Sequence, residues 1–535
     1  MCDKVQQRVL CGGYRGGGAA GLADRLAVQP HHDGDYPGHT LPVRLALHEA
    51  GRRAARRQDG RGGHLIGERA VRHTHRRGQR DNEGDGRDGV VTPGIRDYLE
   101  AVEAGGGLAR VRRAVSARYE AAAVTARAEG GPALLFEDVE GSSYRMATNL
   151  VGTRERFALA LGTVPDSIHD TMLVAIDGAR TEHRTAPAAF AQNASSVLGD
   201  MPIATHFEKE PGPFIASSVV FASNPETGRQ NTSFHRMMPL DEGRLTIRMV
   251  EGRHLHRCFT HAAEHGEDLR VAVVVGVHPA MLIAGAYQAG WGEEEMGVAG
   301  ALLGGGLEMA PLEWSGLSVP ASAEIIMEGR ILHDVTHEEW MVEMLQTYDY
   351  RREQPVFQLE RLYHRDEPIY HDILPGYGEH RLLMGMPVES KINGLLRGAA
   401  PEISATLSQG GCSWLHAVVR IRKEEGTDVP DIIRRTFEAH RSLKMVVVVD
   451  EDIDPDDAAS VEYAMATRFQ ADRDVVIWRD VRGSSLDPSS DQKNLRTAKI
   501  GIDATVPLDK RPEGFEMARI PGMESVHLDE YTARG

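Results

Sequence analysis

Three polar residues of different chemistry, Asn231, Arg236 and His254, lie within the stretch 229–257. The run LTIRMV at 245–250 favours a strand, and a strand pair folding back on itself would bring the three side chains together. An amide oxygen and an imidazole nitrogen suit a divalent cation such as Mn²⁺ or Mg²⁺, particularly when a carboxylate and a phosphate complete its shell. The same residue types are common on an ordinary sheet surface, so the spacing leaves both interpretations open.

Two acidic runs further along the chain offer the missing carboxylates. Residues 292–295 (GEEE) lead into a small-residue run that predicts a helix, where acids often serve only to complement the helix dipole. In 337–343 (HEEWMVE), carboxylates stand beside Trp, Met and Val. Low-polarity surroundings raise a carboxyl pKa, as a proton donor at neutral pH requires, although a solvated helix face shows the same pattern.

The composition is that of a folded protein. Of 535 residues, 41 % are hydrophobic and 26 % are charged, and the net charge of −17 argues against nucleic-acid binding as the main role. The most apolar run, 271–287, is interrupted by His278-Pro279 and is shorter than the roughly 20 residues of a membrane span, so we expect no membrane segment. The four cysteines show no CxxC spacing, which favours a reducing cytoplasm over a zinc or disulfide framework.

Residues 1–92 differ sharply from the rest of the chain. They are rich in Arg, Gly and His and sustain no apolar periodicity. Little apolar surface is then available to offset the entropy of ordering the backbone, so we predict a disordered Arg/Gly-rich tail. Alternatively, translation starts near Val90, Val91 or Thr92 and the segment is an upstream artefact.

The remaining sequence predicts an α+β protein in three parts. Residues 93–175 alternate helix and strand as in a small α/β domain, and 176–370 carry the short β-branched runs of a central β domain. Residues 371–510 alternate again, with a helix at 428–440 followed by an apolar strand. We interpret 511–535 as a tail able to wrap a neighbouring subunit.

Several segments, in order, resemble the UbiD-type decarboxylases, the enzymes that use prenylated FMN. The resemblance covers about 94–507, and VPASAEIIMEG at 319–329 is its most specific run. The family fold implies a central split β-barrel that binds the flavin at 176–370, between N-terminal and C-terminal α/β domains. The other matching segments are PETGRQNTSFHR, RHLHR, HPA, GEEEMGVAGALLGG, GCSWLHAVVRI and KIGIDAT.

The resemblance also implies a cofactor site. Asn231, His254 and Glu295 fall on the family positions that hold a divalent ion, usually Mn²⁺ (or Mg²⁺), against the phosphate of prenylated FMN. A K⁺ ion commonly lies nearby in the family, shared through the residue that matches Glu295. The residues implied to contact the flavin are Asn231, Thr232, Ser233, Phe234, His235, Arg236, Arg248, Met249, Val250, Arg253, His254 and Glu295.

Arg236 matches the family's catalytic arginine, which bridges two acids. The family reads Glu-Gly-Pro-aromatic-Gly-Asp/Glu, whereas this chain has EEWMVE at 338–343, with the first-to-last spacing kept and the Gly and Pro lost. We expect Glu343 to be the proton donor and Glu338 the second acid, with Glu339 able to compete for the role of Glu338. Arg236 would orient both acids through charge-assisted hydrogen bonds.

The implied reaction is reversible non-oxidative decarboxylation through a covalent adduct with prenylated FMN. Trp340, Met341 and Tyr348 would form a flat apolar wall, which favours an aromatic or heteroaromatic acid over an α,β-unsaturated aliphatic one. Alternatively, Trp340 fills core volume and carries no information about the substrate. The runner-up functions are a non-catalytic flavin-binding module and a metal-dependent hydrolase with the same ligands.

The expected partners follow from this reaction. They are a small-molecule carboxylic acid as substrate, a flavin prenyltransferase that supplies the cofactor, and further copies of the chain in a homodimer or higher homo-oligomer. We expect no nucleic acid and no membrane partner, and a cytoplasmic location.

Overall fold

The computed structural model describes residues 92–532. The predicted tail at 1–92 therefore lies outside the described residues except for Thr92. The helices are α1 (Ile95–Ala104), α2 (Glu120–Arg127), α3 (Arg154–Ala160), α4 (Ile168–Asp177), α5 (His254–Glu264), α6 (Pro279–Ala286), α7 (Glu295–Leu302), α8 (Gly378–Leu396), α9 (Val429–Ala439), α10 (Ala458–Arg468) and α11 (Leu528–Thr532).

The strands alternate with helices in the first and C-terminal regions and follow one another in the central region, which gives the mixed α/β fold that the sequence predicts. They are β1 (Leu108–Val111), β2 (Ala133–Phe136), β3 (Arg145–Thr148), β4 (Arg184–Thr185), β5 (Asn193–Ser195), β6 (Val219–Ser223), β7 (Gln230–Phe234), β8 (Met237–Pro239), β9 (Arg244–Ile247), β10 (Leu269–Val275), β11 (Glu308–Pro311), β12 (Ser318–Pro320), β13 (Ile325–Glu339), β14 (Arg352–His364), β15 (Ile369–His371), β16 (Ser404–Leu407), β17 (His416–Ile421), β18 (Met445–Asp450), β19 (Val475–Arg482) and β20 (Arg496–Asp503).

The first region folds as α-helices on a small sheet of order β1-β2-β3-β15. α1 forms because Ile95, Leu99 and Val102 recur on one face, which is buried. α3 begins after Thr153, whose hydroxyl accepts a hydrogen bond from the Arg156 amide at 3.3 Å, as an N-cap should. β15 straddles the expected boundary at residue 370 and completes this sheet, so the first region and the central region share an element.

The central region is built on an antiparallel sheet of order β7-β6-β10-β13-β14-β9-β8, with β5 added beside β14. Its two edges, β7 and β8, are consecutive in the chain and are separated only by His235 and Arg236. The sheet therefore curls until its edges meet at these two residues, where an isolated bridge joins Ile215 to Met237. No ladder among residues 92–532 closes the sheet into a full barrel.

The C-terminal region is a five-stranded sheet of order β16-β17-β18-β20-β19, in which β17, β18 and β20 run parallel. Parallel strands covered on both faces are apolar throughout, which explains the continuous run Val446–Val449. α9 confirms the helix predicted at 428–440, with the Asp428 carboxylate capping the Asp431 amide at 3.0 Å. Within the described part of the chain, no helix combines the length and apolarity needed to cross a bilayer.

Candidate active site

Arg236 lies at the junction of the two sheet edges and contacts three carboxylates. Its side chain is only 8 % exposed. Nε and Nη2 donate to the two oxygens of Glu339 at 3.1 and 2.8 Å, and Nη2 also donates to Asp349 at 3.1 Å. Nη1 donates to Glu343. A planar guanidinium satisfied on every edge in this way has a fixed orientation.

The three acids come from one tight hairpin that follows β13. The Glu343 amide donates to the Thr347 carbonyl at 2.9 Å, and the Asp349 amide donates to the Met341 carbonyl at 2.8 Å. The chain therefore reverses between Glu343 and Thr347 and returns Asp349 beside Glu339, the last residue of β13. Backbone pairing, rather than contacts between the like-charged carboxylates, brings them together.

The surroundings shift the pKa values of Glu343 and Asp349 in opposite directions. Burial raises the pKa of Glu343, opposed by Arg236 and reinforced by Asp349. Burial also acts to raise the pKa of Asp349, but Arg236 and Arg352 outweigh it, so that pKa is lowered. Asp349 is therefore held ionised, whereas Glu343 is displaced towards its protonated form.

β7 connects this acid cluster to a second polar group through residues on one face. Residues 231 and 233 of β7 and residue 235 just beyond its end alternate along the chain, so their side chains lie on the same side of the sheet. Asn231 Nδ2 donates to the Ser233 hydroxyl at 3.2 Å, and that oxygen lies 2.8 Å from His235 Nε2. His235 Nδ1 lies 2.7 Å from the Arg248 carbonyl, which requires a proton on Nδ1. Burial lowers the pKa of His235 to about 4, so the ring is neutral.

Asn231, His254 and Glu295 lie close together. His254 Nδ1 lies 3.1 Å from Asn231 Oδ1 and 3.8 Å from Glu295 Oε1. The other oxygen of Glu295 accepts the Thr232 amide at 2.8 Å, and burial raises the pKa of this carboxyl. One amide oxygen, one imidazole nitrogen and one carboxylate oxygen within this distance form a donor set that fits a divalent cation with further ligands supplied from outside.

Asn231 supplies the neutral oxygen of that donor set, which otherwise holds only one imidazole and one carboxylate. Within residues 92–532, no group of three or more His, Cys, Asp or Glu side chains is placed to hold a metal. The His254 ring also packs edge-on against Trp291, at 5.3 Å between ring centroids, which fixes the plane of the imidazole.

The remaining residues expected to contact a flavin differ in how far they are exposed. Met249 is buried, and the next residue, Val250, is exposed. Phe234 is partly buried against the apolar core. Arg248 is nearly buried, with Nε 3.9 Å from Asp349, and Arg253 is exposed and donates to the Gln288 side chain at 3.1 Å.

The expected contact between Arg236 and Glu338 is wrong, and Glu339 takes that position. Glu338 is 46 % exposed and pairs with Arg351 at 3.2 Å, whereas the Glu339 side chain is fully buried. The two residues are adjacent in a strand and so point to opposite faces. Only one of them can face Arg236.

The three residues of the expected apolar wall, Trp340, Met341 and Tyr348, are each engaged in other contacts. Trp340 Nε1 donates to the Lys209 carbonyl at 2.6 Å, and Arg351 lies over the indole ring at 4.0 Å. The Tyr348 hydroxyl accepts the Lys209 amide at 3.2 Å. Met341 is buried in a separate small apolar cluster. These contacts give no support to a flat aromatic-binding surface at this place.

Two polar residues of the cluster were not predicted from the sequence. Asp349 stands within YDYRR, where no local pattern separates it from a surface acid. On α8, burial together with the positive charges of Arg381 and Arg236 lowers the pKa of His380 to about 4. Both reach the cluster through long-range folding, and neither has a signal in its own neighbourhood.

Comparison with known proteins gives three consecutive family matches. The models are the N-terminal, Rift-related and C-terminal domains of 3-octaprenyl-4-hydroxybenzoate carboxy-lyase (UbiD), and they match residues 99–176, 180–378 and 381–504. Together they span most of the described chain.

Several curated relatives are named anhydromevalonate phosphate decarboxylases. The anhydromevalonate phosphate decarboxylase of Methanocaldococcus jannaschii is 47 % identical over 61 % of this chain and 76 % of its own length. That of Aeropyrum pernix is 39 % identical over 80 % of this chain and 96 % of its own length.

Solved structures of the UbiD-class enzyme HmfF from Pelotomaculum thermopropionicum are similar in fold. The complex with FMN is 35 % identical, with a TM-score of 0.78, and covers 82 % of this chain and all of its own. An evolved dimeric form in complex with prFMN is 34 % identical, with a TM-score of 0.75, over 82 % of this chain and 99 % of its own.

The burial difference between the adjacent acids predicts unequal effects on stability. Glu339→Gln removes the fully buried one of the three charges that contact Arg236, and we expect the free energy of unfolding to fall by about 3 kcal/mol. Glu338→Gln removes only an exposed pair and should change it by no more than about 0.5 kcal/mol. Urea unfolding of the two variants, followed by tryptophan fluorescence, makes the comparison. Equal losses would show that Glu339 does not neutralise Arg236.

Proposed function

The chain belongs to the UbiD family of carboxy-lyases, and we propose that it decarboxylates a phosphorylated aliphatic acid with prenylated FMN as cofactor. The main observation behind this proposal is that five relatives, 37–47 % identical to this chain, are all named anhydromevalonate phosphate decarboxylases. That name denotes an aliphatic carboxylic acid that has lost water and bears a phosphate. An aliphatic substrate was the alternative in our sequence interpretation, and it now replaces the aromatic acid as the preferred one.

The site geometry is compatible with this change of preference. Trp340 and Tyr348 are engaged by Lys209 and Arg351, and Met341 is buried elsewhere, so the argument for a ring-shaped substrate loses its basis. The acid cluster makes no demand on ring shape. It requires only a carboxylate that can approach Arg236 and Glu343.

Flavin complexes of the HmfF structures support a flavin cofactor, and we propose prenylated FMN held along β7. Asn231, His254 and Glu295 would hold Mn²⁺ (or Mg²⁺) against its phosphate, with K⁺ nearby. When bound, prenylated FMN supplies the electron sink that decarboxylation at an unsaturated carbon needs and that side chains cannot provide. We further propose that the curled central sheet is the family's split β-barrel.

Among the three acids, Glu343 is best suited to deliver the proton. Its side chain is 22 % exposed, whereas that of Glu339 is fully buried and that of Asp349 is 6 % exposed. Its pKa is raised, while that of Asp349 is lowered. Glu343 is therefore both reachable and biased towards the protonated state. Glu339 and Asp349 hold Arg236, which orients Glu343 and the substrate carboxylate.

The proton-donor role predicts a separation of chemistry from cofactor binding. Glu343→Gln keeps the shape and hydrogen bonding of the side chain but removes its proton, so turnover should fall by about 10² or more. Flavin absorption should remain at the wild-type level. Glu338→Gln, exposed on the opposite face, serves as the matched control and should keep most of its turnover.

The same role fixes the sign of the pH dependence. Activity needs protonated Glu343, so the rate should persist below its pKa and fall as the pH rises through it. Because burial raises that pKa, the fall should lie above the ordinary glutamate value of about 4.3. The observed midpoint belongs to the coupled cluster of Glu343, Arg236, Asp349, Arg248 and Glu339. A rate that instead rises with pH across this range would exclude Glu343 as the acid.

The metal proposal predicts that cofactor and ion depend on one carboxylate. Protein co-expressed with a flavin prenyltransferase should contain a near-stoichiometric divalent metal and a modified-flavin absorption. Glu295→Ala should lose both together, because Glu295 would supply the carboxylate ligand of an ion that would in turn help to hold the flavin phosphate. Metal analysis and flavin absorption of the purified variant test this. Retention of both at wild-type levels would remove Glu295 from the metal shell.

The substrate class is tested directly with cofactor-loaded enzyme. Anhydromevalonate phosphate, its unphosphorylated form, aliphatic enoic acids, and benzoic, cinnamic, pyrrole, indole and fused-ring carboxylic acids are assayed for CO₂ release and for deuterium uptake from D₂O. We expect turnover of the phosphorylated aliphatic acid. Turnover confined to aromatic acids would contradict the proposal and restore the earlier preference. Activity that survives removal of flavin, with metal alone, would support a hydrolase instead.

Three further predictions concern the cofactor supplier, the cellular location and the oligomeric state. A flavin prenyltransferase is needed as a cofactor supplier, and a cytoplasmic location is expected. A homodimer or higher homo-oligomer is supported by exposed apolar residues in the C-terminal segment, and light scattering of the purified protein tests it. These exposed residues are Leu508, Met517, Ile520, Met523, Val526, Leu528 and Tyr531.

A further inference from the structure

One short segment, residues 206–210, lies against the hairpin that carries Glu343 and Asp349. The hairpin, residues 340–351, connects the end of β13 to the start of β14. Trp340 Nε1 donates to the Lys209 carbonyl at 2.6 Å, and the Lys209 amide donates to the Tyr348 hydroxyl at 3.2 Å. Residue 340 is on the outgoing arm and residue 348 on the returning arm, so the segment holds both arms of the hairpin.

A third contact reaches the residue next to Glu343. The Val342 amide donates to Glu210 Oε1 at 3.4 Å. The amides of Glu343 and Asp349 are already used inside the hairpin, where they pair with carbonyls of the opposite arm. The Val342 amide therefore joins the hairpin to segment 206–210 directly before Glu343, and we expect any displacement of Glu210 to move that acid.

The Glu210 carboxylate also folds its own segment. Its other oxygen, Oε2, accepts the amides of His206 and Phe207, both at 3.0 Å. The carboxylate thus accepts three backbone N–H groups, two from the segment and one from the hairpin, and its side chain is fully buried. A glutamine, with one oxygen and one NH₂ group, cannot accept hydrogen bonds on both sides in this way.

A buried imidazole lies between Glu210 and a second carboxylate. His206 Nδ1 lies 3.8 Å from Glu210 Oε2, and His206 Nε2 lies 3.0 Å from Asp372 Oδ2. All three side chains are almost completely buried. Burial acts to lower the pKa of His206, but Asp372 and Glu210 outweigh it, so that this pKa is raised. A protonated His206 gives both buried carboxylates a counter-charge, which allows Glu210 to stay ionised.

Asp372 connects this group to the sheet of the first region. It follows β15 directly, and its amide donates to the Ala147 carbonyl of β3 at 2.9 Å. Four residues further on, a Cβ atom added at Gly376 would lie 3.1 Å from the Glu343 carbonyl oxygen. The hairpin is therefore contacted both by segment 206–210 and by the loop after β15, and Asp372 belongs to that loop.

We propose that Glu210, with the segment 206–210 that it folds, is a positioning residue that sets the approach of Glu343 to the carbon receiving its proton. The proposal rests on the proposed function in one respect, the role of Glu343 as proton donor. Arg236 is also held by Glu339 in β13, so loss of the attachment should leave Arg236 in place and displace Glu343. A misplacement of about 1 Å can cost about 10² in rate, so a small displacement is sufficient.

Glu210→Gln tests the proposal in cofactor-loaded enzyme, because it keeps the size of the side chain but removes its charge and one acceptor oxygen. Glu208→Gln is the matched control, since Glu208 lies on the same segment and is exposed. Both substitutions are made in the wild-type chain and in Glu343→Gln, and turnover is normalised to flavin content. Amide hydrogen exchange of residues 340–351 is measured by mass spectrometry on the same proteins without substrate.

We expect Glu210→Gln to lower kcat by about tenfold and to change KM by no more than about twofold, since the lost hydrogen bond acts on the proton-transfer step. In Glu343→Gln the same substitution should change kcat by less than about twofold, because the acid through which Glu210 acts is already absent. Exchange in 340–351 should become about tenfold faster. Glu208→Gln should stay within about twofold of its parent in every measurement.

The proposal is overturned if Glu210→Gln lowers kcat equally in both backgrounds, since Glu210 would then support the fold and not Glu343 in particular. It is also overturned if exchange in 340–351 is unchanged. If Glu210→Gln does not fold, Trp340→Phe removes the hydrogen bond to the Lys209 carbonyl and keeps an aromatic ring in place. It should lower kcat only when Glu343 is present, and equal losses in both backgrounds overturn the proposal.

The two readouts separate this inference from the proposed function. An enzyme that turns over none of the acids contradicts the proposed function. Faster exchange of 340–351 in Glu210→Gln, and not in Glu208→Gln, then still supports the attachment of the hairpin through Glu210. An active enzyme in which Glu210→Gln changes neither exchange nor turnover contradicts the positioning role of Glu210 alone.

Discussion

A single buried guanidinium, that of Arg236, determines the geometry of the candidate active site. Removing such a charge from water is unfavourable unless it is fully paired, so the chain must place acids on every edge of the group. Glu339, Glu343 and Asp349 meet this demand from one hairpin. The acids in turn depend on Arg236, since three carboxylates this close would otherwise repel one another. Hairpin, arginine and acids thus hold one another in place.

The position of Arg236 follows from how the central sheet curls. β7 and β8 form opposite edges of the sheet but are neighbours in the chain, so His235 and Arg236 lie where the edges meet. Alternation along β7 and the residue after it then places Asn231, Ser233 and His235 on one face. The row of polar side chains that leads from Asn231 to Arg236 is therefore a consequence of strand geometry. Thr232, on the opposite face, uses its backbone amide to hold Glu295.

Charge is divided unevenly within the acid cluster. Arg236 contacts all three carboxylates, and Arg352 adds a further positive charge beside Asp349. The pKa of Asp349 is therefore lowered, whereas burial raises that of Glu343. This division suits a site in which one acid gives up a proton while another stays ionised.

The sequence by itself determined what depends on local order. Helices such as α1, α3 and α9 follow from apolar periodicity and caps, and Asn231, Arg236, His254 and Glu295 stand in motifs whose spacing is kept. Only the tertiary structure decided between Glu338 and Glu339. The two acids are adjacent in β13 and point to opposite faces, and only the folded chain shows that Glu339 lies on the side of Arg236 while Glu338 pairs with Arg351. The contact of Asp349 with Arg236 and the contacts of Trp340 likewise depend on segments distant in sequence. Their roles follow from which charges and faces the fold brings together, a long-range property that no local pattern contains.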